Sequence, residues 1–151
     1  MTEVLGEKMR TRSFDEISVG DPLGELAIPL TRTLIVATAI ASRDYQDVHH
    51  DPQLAVERGS QDIFMNILTT NGFVGRFVTD WAGPGAVLTD VSIRLGVPNY
   101  PGDTMVLTGK VEKLDGLAGG DRGRVEVSIR GSNSRGDHVT GTVGLTLPVS
   151  S

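Results

Sequence analysis

The chain has 151 residues, 38% of them hydrophobic and 22% charged, with a formal net charge of −5 and no cysteine. That length suits one domain with a core of its own, and the lack of cysteine excludes disulfides and thiolate metal sites. The negative charge, with no run of Lys and Arg to offset it, argues against nucleic acid as a partner.

Residues 1–13 are polar and irregular and read as a flexible arm, leaving residues 14–151 as one domain. The arm mixes acids and bases and has no apolar core of signal-peptide length. The longest apolar stretch, Leu34 to Ala41, is broken by Thr38 and is far short of a membrane span. The expectation is a cytoplasmic protein with no membrane partner.

Gly20-Asp21-Pro22 signals a turn, and Leu23 to Thr33 then alternates as one strand or two short ones, with Pro29 favouring a sheet edge. Thr33 to Arg43 changes character: Leu34, Ile35, Ala37, Ala39, Ile40 and Ala41 suit a buried helix, with Thr33 as its N-cap. Asp44 to Asp51 is polar. Pro52 suits the first position of a short helix capped by Asp51 and ended by Gly59.

From Asp62 to Trp81, apolar residues recur at spacings near three and four, including Ile63, Ile67, Val74, Phe77 and Val78. They spread widely enough to predict a long helix buried on most sides, with Gly72 and Gly75 in close packing. Gly83-Pro84-Gly85 ends it. The remainder of the chain reads as four strands, over Ala86 to Leu95, Asp103 to Leu114, Gly123 to Gly131 and His138 to Leu147. Gly119-Gly120 and Asn133 to Gly136 are hairpin signals. His138, placed just ahead of its strand, is expected to face solvent.

The densest chemistry lies in Ser42-Arg43-Asp44-Tyr45-Gln46-Asp47-Val48-His49-His50-Asp51. General acid–base catalysis needs two groups that reach one water. On a continuous helix, Asp44 and His49 would stand about 140° apart, so they converge only if the chain turns between them. Adjacent side chains in His49-His50-Asp51 diverge, and no further ligand cluster supports a metal. His50 reads as a surface residue or a support for its neighbours.

Ser42-x-Asp44-x-x-x-Val48-His49 resembles the signature of MaoC-like (R)-specific enoyl-CoA hydratases, and Pro101-Gly102-Asp103-Thr104 resembles the loop ahead of a strand in that family. The blocks Arg43 to Asp51, Gly59 to Phe64, Thr79 to Pro84 and Arg94 to Pro98 are similar to the small MaoC-like subunits of actinobacterial steroid side-chain hydratases. The resemblance agrees with the strand, helices and four strands read above. It implies an α+β hot-dog fold, an antiparallel sheet wrapped around one long central helix.

The resemblance also implies chemistry. Asp44 and His49 would hold a water that adds to a 2-enoyl-CoA, giving the 3-hydroxyacyl-CoA with no metal or redox cofactor. The Ile67 backbone N–H, with Asn66 beside it and Gly59 ahead, would meet the thioester where the helix dipole favours negative charge. The acyl group implied is a steroid side chain from cholesterol breakdown. The partners implied are a second, larger MaoC-like subunit and, through it, an aldolase. Arg43, Gln46 and Asp47 replace the usual Gly, Asn and Pro, and Asn66-Ile67 replaces His-Gly. The alternatives are an acyl-CoA thioesterase of the same fold and a non-catalytic acyl-binding subunit.

Overall fold

A computed structural model describes residues 10–116 and 120–150. The elements run β1 (Pro22–Pro29), α1 (Arg32–Ala41), α2 (Pro52–Glu57), α3 (Ile67–Ala82), β2 (Val87–Leu95), β3 (Thr104–Gly116), β4 (Arg122–Asn133) and β5 (Gly136–Pro148). Short 3-10 turns occupy Phe14–Glu16 and Asp47–His49. Among the described residues, no helix is long and apolar enough to cross a membrane.

The strands form one antiparallel sheet in the order β1-β3-β4-β5-β2. Val125, Val127 and Ile129 of β4 and Val143, Leu145 and Leu147 of β5 point their branched side chains into the core. There they meet Val74, Phe77, Val78 and Ala82 of α3. α3 touches both edge strands, β1 and β2. The edges of a flat five-stranded sheet lie about 19 Å apart, beyond the reach of one helix, so the sheet curls around α3. This is the hot-dog arrangement.

Pro29 lies on an edge strand, as its missing N–H requires. Asn133 pairs with Gly136 across a two-residue hairpin turn. The other hairpin signal includes Gly119, which lies outside the described residues. So do residues 1–9 of the arm. Residues 10–13 are anchored: the Arg12 N–H donates to the Ala82 carbonyl at 2.8 Å, and its guanidinium lies 5.3 Å from the centre of the Trp81 ring.

Several expectations are corrected. Thr31 rather than Thr33 caps α1, its Oγ1 accepting the Leu34 N–H at 3.0 Å. α3 begins at Ile67, five residues later than the periodicity suggests. Ile63 and Met65 are buried in an extended segment whose backbone is already bonded elsewhere, Phe64 N–H to the Val48 carbonyl and Met65 N–H to the Asn99 carbonyl. α3 is also buried on one side only, for Ile67, Leu68, Asn71, Gly72 and Arg76 form an exposed stripe. Gly72 has open space where a Cβ would stand, so none of the described residues packs closely on it.

Candidate active site

The site begins where α1 ends. Arg43 takes a left-handed conformation at φ 56°, its N–H donating to the Ile40 carbonyl and the Asp44 N–H to the Ala39 carbonyl. This is a Schellman closure, built with Arg where Gly is usual. It reverses the chain and turns Asp44 back over the helix end. The Asp47–His49 turn then brings His49 round to meet it. His49 Nε2 lies 3.4 Å from Asp44 Oδ2, with the two side chains 7% and 19% exposed. The pair that a continuous helix would separate is joined by these two turns.

Each member is fixed from behind. His49 Nδ1 lies 2.6 Å from the Phe64 carbonyl oxygen, which can only accept, so Nδ1 carries the hydrogen and Nε2 faces Asp44. The Phe64 ring meets the imidazole edge-on at 4.9 Å. Asp44 Oδ2 accepts from Asn66 Nδ2 at 3.1 Å, and Oδ1 accepts from the Gln46 N–H at 3.3 Å. These donors hold the Asp44 carboxyl below the usual carboxylate range, Asn66 first, then the Gln46 amide and the charges of His49 and His50, against the opposing effect of burial. His50 donates from Nε2 to the Asp44 main-chain oxygen at 2.7 Å, so it supports the bend.

Asn66 is the junction of the site. It is 2% exposed. Its Oδ1 caps α3 by accepting from the Thr69 N–H at 3.0 Å, while Nδ2 donates to both Asp44 and Ser42 Oγ, the latter at 2.9 Å. Both amide hydrogens are therefore directed at protein groups. Ile67 follows as the first residue of α3, and its N–H has no acceptor within the helix. Among the described residues it meets no backbone acceptor elsewhere. Gly59, at φ 89°, terminates α2 and lines the same cavity.

That cavity has a volume of about 620 Å³ and is lined by Asp44, His49, Asn66, Ile67, Val97 and Tyr100, among others. It also touches His138, which was expected in solvent. His138 is 2% exposed, with Nδ1 2.6 Å from the Val97 carbonyl oxygen and Nε2 2.8 Å from Thr70 Oγ1. The alternation that gives Val139 and Val143 to the core leaves His138 in the other phase, and the cover supplied by Val97 and Thr70 comes from distant segments. Nothing local in the sequence announces it. Among the described residues, no group of three or more His, Asp or Glu could hold a metal ion.

No family model matches the chain. It is 50% identical over 130 residues to the 3-oxo-4,17-pregnadiene-20-carboxyl-CoA hydratase beta subunit of Mycobacterium tuberculosis, covering 85% of this chain and 95% of that protein. A chain of the ChsH1–ChsH2 complex from Mycobacterium tuberculosis superposes with a TM-score of 0.80 at 49% identity, covering 86% of this chain and 98% of that one. The R-hydratase PhaJ1 from Pseudomonas aeruginosa matches with a TM-score of 0.81 at 19% identity, over 94% of this chain and 89% of that one, a likeness of fold. The hot-dog sheet around α3 and the 50% identity over 85% of the chain define the class, the MaoC-like hydratases. The chain belongs to that family, in the group of the pregnadiene-carboxyl-CoA hydratase beta subunit.

Proposed function

We propose that this chain hydrates a steroid 2-enoyl-CoA, with Asp44 and His49 as its acid–base pair and a second, larger MaoC-like subunit completing the site. The observation that carries the reading is the 3.4 Å approach of His49 Nε2 to Asp44 Oδ2 at the wall of a cavity that Ile67 also lines. In the form that reacts, with His49 neutral and its Nδ1 hydrogen on the Phe64 carbonyl, the Asp44 carboxylate and His49 Nε2 are both acceptors, so one water can donate a hydrogen to each. The pair takes one proton as the water oxygen bonds to Cβ. The π electrons of the alkene move toward the thioester, and the enolate oxygen gains charge beside the Ile67 amide at the start of α3. As the enolate collapses, the pair delivers the proton to Cα. The net change is H and OH across the double bond, with no oxidation.

Asn66 serves this scheme by orienting Asp44. Ile67 lines the cavity and shapes the space for the acyl group. A shallow groove of about 350 Å³ between α1 and α3 starts at Ser42 and includes Leu68 and Phe73. With Ile40, Ile67 and Leu68 exposed nearby, this apolar face supports association with a second subunit. The reading puts the reaction in the cytoplasm, with an aldolase taking the product through the larger subunit.

The test uses the complex reconstituted with its second subunit and a steroid enoyl-CoA, followed by loss of enoyl-thioester absorbance. Asp44→Asn keeps the shape and removes the carboxylate, and it is expected to lower kcat by about 100-fold or more. Hydration near the parental rate would remove Asp44 from the chemistry. Release of free CoA from a saturated acyl-CoA would favour a thioesterase.

A further inference from the structure

His138 is the buried titratable side chain that this scheme leaves unused. Both of its nitrogens are engaged, by groups from different parts of the fold. The Val97 carbonyl can only accept, so Nδ1 is the donor. Burial holds the imidazole pKa below its ordinary value, which leaves Nε2 as the acceptor of the Thr70 hydroxyl hydrogen.

The two partners come from distant segments, and each segment contributes residues to the cavity lining. Val97 belongs to the segment after β2 and, with Pro98, forms one wall. Its peptide is tied to β5 twice, the N–H donating to the Asp137 carbonyl at 2.9 Å and the C=O accepting from His138. Gly96 beside it donates to the His138 main-chain oxygen at 2.8 Å, and a Cβ at Gly96 would collide with the Asp137 carbonyl oxygen. Thr70 lies in the first turn of α3, fully buried, with its N–H on the Asn66 carbonyl at 3.2 Å. That turn starts at Ile67 with Asn66 as its cap, and both residues line the cavity.

We propose that His138 is a positioning residue, a strut that sets the distance between the first turn of α3 and the Val97–Pro98 wall. The strut holds the Ile67 amide in register with the Asp44–His49 pair. This inference rests on the hydratase reading for its catalytic consequence and on the geometry alone for the strut. The imidazole suits the task because its ring is rigid and its two nitrogens point to different partners. A Leu in its place would fill space, leave the Val97 carbonyl without its donor and leave the Thr70 hydroxyl only the Asn66 carbonyl at 3.5 Å, at a cost to folding.

The test therefore relies on milder changes, Thr70→Val, Thr70→Ser and His138→Gln, in the reconstituted complex. Two readouts are taken: kcat and KM per folded complex, and the Ile67 and Val97 amide positions in 15N TROSY spectra of the labelled chain. Misplacing a donor by a fraction of an ångström costs rate more than binding. Thr70→Val and His138→Gln are expected to lower kcat about tenfold with KM within about twofold. Thr70→Ser, which keeps the hydroxyl, is expected to restore most of the rate. The Ile67 and Val97 amide signals are expected to move in Thr70→Val and His138→Gln. A residue that only stabilises the fold would lower the melting temperature and leave kcat per folded complex alone. Unchanged amide signals in those two variants overturn the strut, as does turnover within twofold of parent. A parental complex inert toward the enoyl-CoA, with the amide signals still moving, counts against the hydratase reading and for the strut.

Discussion

Replacing Asn66 by Asp tests the electrostatics of the pair with almost no change of shape. Asp is as good an N-cap as Asn, so the carboxylate still accepts from the Thr69 N–H and α3 keeps its start. What changes is the contact with Asp44, where a donor 3.1 Å from Oδ2 becomes a second acceptor with a negative charge. Two unit charges at that distance repel by about 1 kcal/mol under water-like screening and about 5 kcal/mol at an effective dielectric of 20. That corresponds to about one to four pH units. The Asp44 side chain is 19% exposed beside an open cavity, so solvent screening places the expectation in the lower half of that range. In the parent, Asp44 sits below its ordinary pKa, so it adds stability above the unfolded value and loses it as pH falls through the folded one. In Asn66→Asp the shared proton binds more tightly in the folded state than in the unfolded state. Its stabilisation is full below the unfolded pKa and lost as pH rises through the folded one. The stability deficit of the variant is therefore expected to grow from pH 4 to pH 6 and to level off above that, read by thermal melts. The acidic limb of the kcat/KM profile is expected to move up by about one to two units. A limb that stays where the parent has it, with melting curves parallel at both pH values, would refute the role given to Asn66.

Arg43→Gly is expected to stabilise the chain by about 0.5–1 kcal/mol, because Gly takes the left-handed conformation that closes α1 without the Cβ clash; urea unfolding of parent and variant gives the difference. Asp51→Ala removes the acceptor of the Gln53 and Leu54 N–H groups at the start of α2. It is expected to cost about 1 kcal/mol, measured the same way. Gly141→Ala drives a Cβ into the Ser92 carbonyl of the neighbouring strand, and a loss of about 1–3 kcal/mol is expected in a melt that leaves α3 contacts untouched.

The fold was legible where the physics is local. Alternating Val, Ile and Leu marked β4 and β5, Pro29 marked an edge, and Asp51-Pro52 marked a helix start. The errors fall where backbone satisfaction overrides period. Ile63 and Ile67 are four apart and read as one helical stripe, yet Ile63 lies in an extended segment bonded to residues 48 and 99 on either side. Thr31 displaced Thr33 as cap because the chain at Leu30 is already bonded in both directions, to the Asp103 carbonyl and from the Gly102 N–H. Gly72 was misread for a different reason. Spacing along a helix reports which residues share a face, not what covers that face, and none of the described residues covers this face of α3.

The site shows how far a short motif can specify chemistry. Ser42 to His49 supplies both members of the pair, and the closure at Arg43 explains why five residues of separation bring them together. The motif does not fix them. Phe64 sets which nitrogen of His49 carries its hydrogen, and Asn66 sets which way Asp44 faces. Both lie at the start of the stretch that periodicity assigned to a helix; helical there, Phe64 would spend its carbonyl on the i+4 N–H, and Asn66 would not be a cap. The extended run from Ile63 to Met65 is thus what lets the carbonyl of residue 64 and the side chain of residue 66 turn toward the pair. The departure at Asn66 from the usual His falls on the residue that joins the helix cap, Ser42 and Asp44. A change there alters the state of the carboxylate and the start of α3 together, so substitutions at this position should move rate and pH profile as one.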